Sequence, residues 1–134
     1  MEENKIPNIL KSAKIIAVVG LSNKLNRDSY TVAEYLQNQG YKIIPVNPNI
    51  PEWKGIKAYA NLTEINDKID VVDIFRRSEF VEEIVDQALK MKHKPKVIWM
   101  QLGIENENAA KKARAVGIIV IQNKCMKIEH EKYL

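Results

Sequence analysis

The chain has 134 residues, enough for one domain around one core, and its 46% hydrophobic and 28% charged residues are an ordinary soluble globular composition. The 21 basic and 17 acidic residues leave a formal charge of +4; the basic residues are scattered without interleaved aromatics, which weakens a nucleic-acid reading and suits a small anion. One cysteine, Cys125, excludes an intrachain disulfide, His93 and His130 lack partners at metal-ligand spacing, and no apolar run approaches the roughly 20 residues of a membrane span.

The N-terminal segment, residues 1–14, is polar and lacks the apolar core of a signal peptide, so cytoplasmic residence is expected. Lys14 to Val19 is a continuous apolar run closed by Gly20, as a strand buried on both faces requires. The spacing of Val32, Ala33 and Leu36 predicts a helix over 28–39, capped by Asp28 or Ser29 and ended by Gly40. Tyr41 to Val46 is a second strand. Its Pro45 donates no ladder hydrogen bond and is placed near the strand's end. Asn47-Pro48-Asn49 reads as a turn, 57–59 as a short edge strand and 61–65 as a helical turn.

Asp70 to Phe75 is the next buried strand. Val81, Ile84, Val85, Ala88 and Leu89 then trace a clear helical stripe, with Ser78 as its expected N-cap. Lys96 to Met100 is a strand, 105–116 a helix closed by Gly117, and Ile118 to Ile121 the last strand. The charged tail, 124–134, is expected on the surface, with His130 exposed there and His93 exposed after its helix.

This alternation predicts an α/β fold over 1–134: a single three-layer domain with a Rossmann-like, doubly wound parallel sheet in the order 3-2-1-4-5-6. The winding reverses between the first strand and Asp70–Phe75, and a ligand crevice is expected there. The loop after Gly20 and the segment Phe75-Arg76-Arg77-Ser78 would border it. Both carry positive charge and both lead into helix N-termini, which favour phosphate.

The first loop has one glycine and is longer than a dinucleotide-binding turn. Ser22, Asn23 and Ser29 offer hydroxyl and amide groups, and Arg27 and Lys24 offer charge, so it reads as an anion cradle of another build; taken alone, an ordinary polar loop fits equally well. The end of the second strand lacks the carboxylate that holds the ribose in NAD-binding domains; Asn47 stands there, to read hydroxyl or phosphate oxygens or to form a plain Asn-Pro turn. Arg76 and Arg77 can clamp phosphate oxygens, or one can be solvated while the other pairs with Glu79 or Glu82. No catalytic constellation stands out. Cys125 reads as a packing residue, or as a thiol near the ligand whose thiolate Lys124 and Lys127 would favour. Trp53 and Trp99 are candidates for edge and core packing.

Five blocks in order carry a resemblance: IAVVGLSNKLNRDSYTVAEYL, GYKIIPVNPN, VVDIFRRSE, VIWMQLGIENENAAKKARAVGI and NKCMKIEH. Together they resemble the CoA-binding protein family, small single-domain proteins similar to the N-terminal CoA-binding domain of the succinyl-CoA synthetase alpha subunit. The resemblance implies a stand-alone binder of coenzyme A or acyl-CoA that grips the ADP moiety, without turnover of its own. It implies that Gly20, Leu21, Ser22 and Asn23, with Arg27 and Ser29, meet the diphosphate. Asn47 and Pro48 would lie near the adenosine and its 3′-phosphate, and Phe75, Arg76 and Arg77 would border the pantetheine path or the phosphates. The synthetase's phosphorylated histidine belongs to a second domain that has no counterpart here, so its ligase chemistry does not transfer. An NAD(P)-binding redox enzyme or sensor is the alternative, and pairing as a homodimer is left open.

Overall fold

A computed structural model of the protein describes residues 2–134; Met1, at the head of the expected polar segment, lies outside the described residues. In chain order the helices are α1 (Ile6–Ser12), α2 (Asp28–Asn38), α3 (Val81–Leu89), α4 (Glu107–Ala115) and α5 (Met126–Tyr133). The strands are β1 (Ile15–Val19), β2 (Lys42–Val46), β3 (Glu52–Trp53), β4 (Ile56–Lys57), β5 (Val71–Ile74), β6 (Val97–Met100) and β7 (Ile119–Ile121). Five strands form one parallel sheet in the order β2-β1-β5-β6-β7, with Val18 beside both Pro45 and Asp73, and Asp73 beside Trp99. The expected winding, with its reversal between β1 and β5, is present. None of the helices among the described residues is long and apolar enough to cross a membrane.

Parallel strands with helices on both faces must be largely apolar on both sides, and these are, with Asp73 of β5 as the buried exception. One face packs Ala17, Val19, Val72, Ile74 and Ile98 under α3 and α4. The α4 helix presents only alanines there (Ala109, Ala110, Ala113), all fully buried, which lets its backbone approach closely. The other face packs Ile16, Val18, Val71 and Trp99 against α1, α2 and Met126 of α5. Trp99 and Trp53 are both fully buried, and the Trp99 indole N–H donates to the Lys124 carbonyl at 2.8 Å. Loss of such a ring costs about 3–5 kcal/mol.

The edge strand expected at 57–59 is not one. Ile56–Lys57 pairs antiparallel with Glu52–Trp53 instead, and only Tyr59 reaches the sheet, as a single bridge to Val46. Lys54 and Gly55 take positive φ at the tip, so a tight hairpin withdraws the segment from the sheet. Pro45 causes no strain, because its carbonyl faces the outer margin, where it accepts from the Tyr59 N–H at 3.0 Å. Its missing N–H points the same way, clear of β1.

Two expected caps are employed elsewhere. Arg27, not Asp28 or Ser29, occupies the N-cap of α2 and offers no side-chain bond. Ser78 opens a 3₁₀ turn before α3, and its hydroxyl accepts from the Glu105 N–H at 3.0 Å. The helix expected at 105–116 starts later because the Asn106 side chain caps it, accepting from the Ala109 N–H.

The termini are more ordered than their polarity suggests. Glu2–Lys5 form a 3₁₀ turn leading into α1, which buries Ile6, Ile9 and Leu10. The Glu2 carboxylate accepts from the Val120 N–H at 2.8 Å and pairs with Arg114 at 2.7 Å. The tail expected on the surface forms α5, with Met126, Glu129 and His130 buried. His130 therefore is not exposed: its Nδ1 lies 2.8 Å from the Tyr35 hydroxyl, and its ring meets Tyr35 and Tyr41 edge-on. His93 is half-buried.

Candidate functional site

The site is built outward from Gly20. Strand β1 ends there with φ +86°, and the Gly20 N–H donates to the Val46 carbonyl at 2.8 Å. A Cβ on Gly20 would lie 3.0 Å from the Phe75 carbonyl oxygen and 3.2 Å from Arg76 Cδ. Glycine is thus required twice, by its backbone conformation and by the close approach of the loop that leaves β5. The two loops expected to border the crevice do meet, at this residue.

After Gly20 the chain buries Leu21 completely, so that side chain anchors the loop in the core rather than facing a ligand. The Ser22 N–H donates to Ser29 Oγ at 3.0 Å, and the Lys24 N–H to Ser22 Oγ at 3.1 Å. Both serines thereby shape the cradle, and each hydroxyl keeps its own proton to donate. Because no side chain caps α2, the N–H groups of Asp28, Ser29 and Tyr30 have no partner in the chain among the described residues. They add to the positive end of the helix dipole. Ser22, Arg27 and Ser29, together with Gly20, Asp28 and Phe75, line a hollow of about 330 Å³ at this helix start. Asn23 and Lys24 are exposed and lie outside it.

On the other side of Gly20 lies a cleft of about 280 Å³ that includes Asn47, Pro48, Arg76, Phe80 and Gln87. Asn47 lines it, but its amide is committed to the fold. Nδ2 donates to the Leu21 carbonyl at 3.0 Å, and Oδ1 accepts from the Asn49 N–H at 2.8 Å. Asn47 thus ties the two loops together. Arg76 reaches into the cleft with its guanidinium 4.7 Å from the Phe80 ring centre. Arg77 sits 5.3 Å from the same ring, is largely exposed, and lies 3.7 Å from Glu79. The pair therefore splits into one arginine in the cleft and one beside a carboxylate in solvent. Glu83 also lines the cleft and opposes its positive charge.

A third hollow, about 370 Å³, shares Asp28 and Phe75 with the second. It is bounded by Val32 of α2, Gln101 after β6, and Cys125 and Lys127 at the start of α5. Gln101 is 3% exposed and donates from Nε2 to Asp73 Oδ1 at 2.6 Å. Asp73 is fully buried; that burial, against the opposing Gln101 bond, pushes its carboxyl up to about 7. The three hollows adjoin at the carboxyl ends of the strands: the first and second share Gly20, the second and third Asp28 and Phe75.

Sequence reasoning missed Phe80, Gln87 and Gln101; it set Asp70 or Asp73 toward the crevice without a partner, and Asp73 is the one that Gln101 of the third hollow meets. An aromatic three and four residues beyond two arginines was the available signal for Phe80. A glutamine ending the apolar run VIWM was the signal for Gln101.

A family model described as "CoA binding domain" matches residues 14–131. The chain is 42% identical over 126 residues to the uncharacterized protein YneT of Bacillus subtilis, covering 94% of this chain and 92% of that one. It is 29% identical over 121 residues to an ADP-forming acetate–CoA ligase of Methanocaldococcus jannaschii, covering 86% of this chain but 17% of the ligase. Among solved structures, a hypothetical protein from Pyrococcus horikoshii superposes with a TM-score of 0.91 at 42% identity, over 99% of this chain and 92% of that one.

Proposed function

The chain belongs to the CoA binding domain family, and from that premise we propose that it binds coenzyme A or an acyl-CoA through the ADP moiety, without turnover of its own. The observation that carries this reading is the convergence at Gly20: an uncapped helix start, the Ser22 and Ser29 hydroxyls and Arg27 on one side, Arg76 over Phe80 on the other. N–H groups, hydroxyls and guanidinium are the donors a diphosphate requires, and it would lie beside the glycine, between them. The cleft with Asn47, Pro48 and Arg76 would take the adenosine end. Its ring-stacked arginine is pre-ordered for a phosphate oxygen. Asn47 contributes by fixing the cleft's shape, since its amide is already bonded within the chain.

Calorimetric titration with CoA, acetyl-CoA, NADPH and ADP-ribose tests the proposal. Saturable heat is expected with the two CoA compounds below about 1 mM, a binding free energy beyond about 4 kcal/mol. Silence with CoA at that concentration, alongside binding of NADPH or ADP-ribose, would transfer the site to the redox alternative.

A further inference from the structure

A carboxyl without a counter-charge lies inside the sheet. Asp73 of β5 and Gln101, just past β6, share the α2 side of the sheet with Val18, Trp99 and Phe75. Asp73 is fully buried, and Gln101 is its one side-chain partner among the described residues; the second carboxyl oxygen, Oδ2, is sealed with no partner at all. A sealed, unpaired oxygen is tolerable on a neutral acid and costly on a carboxylate. The 2.6 Å spacing to Gln101 suits an O–H···O bond and lies just under the usual N–H···O range, so it admits the acid as well as the carboxylate.

Gln101 can answer both forms. Its amide holds a donor and an acceptor on one carbon, and a half-turn of the last bond exchanges them. A carboxylate only accepts, so it takes the Nε2 hydrogen and leaves Oε1 facing outward. A protonated carboxyl has an O–H to give, so it takes Oε1 and leaves the NH2 facing outward. Keeping Nε2 inward would instead strand that O–H at the sealed Oδ2. The outward atom of Gln101 is not sealed, and the space that Gln101 lines is the third hollow.

We propose that Asp73 and Gln101 form a proton-operated polarity switch: when Asp73 gains a proton Gln101 turns its amide over, and the third hollow changes from meeting an acceptor to meeting a donor. The inference stands apart from the CoA reading, because no ligand takes part in it. Few charges face the pair. Strands β1 and β6 set Val18 and Trp99 beside Asp73, and α1 gives this face only Ile6, Ile9 and Leu10. Helix α2 brings Asp28, and α5 brings Cys125 and Lys127, to the wall of the hollow, and none of them bonds to Asp73. Burial, against the Gln101 bond, pushes the carboxyl up to about 7, so both forms are populated near neutrality. A carbonyl group entering the hollow is favoured by the protonated form, an N–H group by the ionised one.

The test follows the Gln101 side-chain amide and the Asp73 carboxyl carbon by NMR from about pH 5 to about pH 9, in the wild-type protein and in Asp73→Asn. That substitution removes the proton and no other titrating group. In the wild type the carboxyl carbon should titrate. Exchange of the Gln101 amide with water, taken relative to the exposed Gln39, should slow about tenfold across the same midpoint as the NH2 moves inward. In Asp73→Asn the ratio should stay constant. A ratio that is flat in the wild type, or that moves alike in the variant, overturns the inference, as does a carboxyl carbon that does not titrate in this range. Should the variant not fold, the two wild-type midpoints decide: coincidence supports the switch, and a separation of more than about one pH unit overturns it.

Discussion

Replacing Asp73 by asparagine also tests how the sheet interior is built, through stability rather than through the amide signal. Burial raises this carboxyl from the usual 3.8 to about 7, against the opposing bond from Gln101. An acid that holds its proton more tightly when folded favours the folded state only while protonated. Below about pH 4 both states carry the proton and its contribution is fully present. Between about pH 4 and 7 the unfolded chain releases the proton and the folded chain keeps it, so stability falls as pH rises; above that window the loss is complete. At 1.36 kcal/mol per pH unit, a rise of about three units corresponds to about 4 kcal/mol. The Asp73→Asn side chain does not titrate, and every other group titrates alike in both proteins. The stability of wild type minus that of the variant should therefore fall by about 4 kcal/mol from pH 4 to pH 8. Urea unfolding followed by the fluorescence of the buried Trp53 and Trp99 measures it. A difference curve flat to within about 0.5 kcal/mol would refute the reasoning, since the carboxyl would then have to reach water or hold a charged partner.

Gly20→Ala should cost about 2–4 kcal/mol by denaturant unfolding and weaken CoA as well, because it combines a positive φ with a collision against the Phe75 carbonyl. Gly40→Ala is its control: φ is +102° but nothing lies within 4 Å of the added methyl, so only the backbone cost of about 1–2 kcal/mol should appear. Asp70→Asn should act with the opposite pH dependence to Asp73→Asn. Partial burial pushes the Asp70 carboxyl up, but the Ile15 and Lys14 N–H donors, with Lys96, outweigh it and hold the group below its usual value. Its contribution is present above the unfolded value and lost as pH falls through the folded one. The variant should be about 1–2 kcal/mol less stable at pH 7 and close to wild type under acid, as read by thermal melts at both.

The sheet was legible because parallel strands buried on both faces leave near-continuous apolar runs, as KIIAVV, KVIWM and, with one aspartate inside it, DVVDIF do. Gly20 and the arginines after β5 marked the crevice for the same local reason, as each sits where a strand ends. What escaped notice was decided across the sequence. Ser29 and Ser78 have the chemistry of caps, yet their oxygens accept from Ser22 and Glu105, seven and twenty-seven residues away. The segment at 57–59 has strand propensity, but a hairpin two residues earlier competes for its backbone. The final helix looks polar in sequence because its buried positions are Met126, Glu129 and His130. Only tertiary partners, Tyr35 above all, make the histidine acceptable inside. Asp73 interrupts an apolar strand and, like Asp70, reads as a crevice carboxylate without a partner until Gln101, twenty-eight residues on, appears beside it.

The clasp at Glu2 has a bearing on self-association. Val120 lies on the outermost strand of one flank, and the carboxylate occupies an amide that another polypeptide would need for zippering onto it. Tyr59 does the same on the opposite flank, covering Val46 and Pro45. With both flanks stoppered, recruitment of a second copy into a longer ribbon would first require displacing the Glu2 carboxylate or the Tyr59 backbone, which steers any twofold assembly toward the helical exteriors.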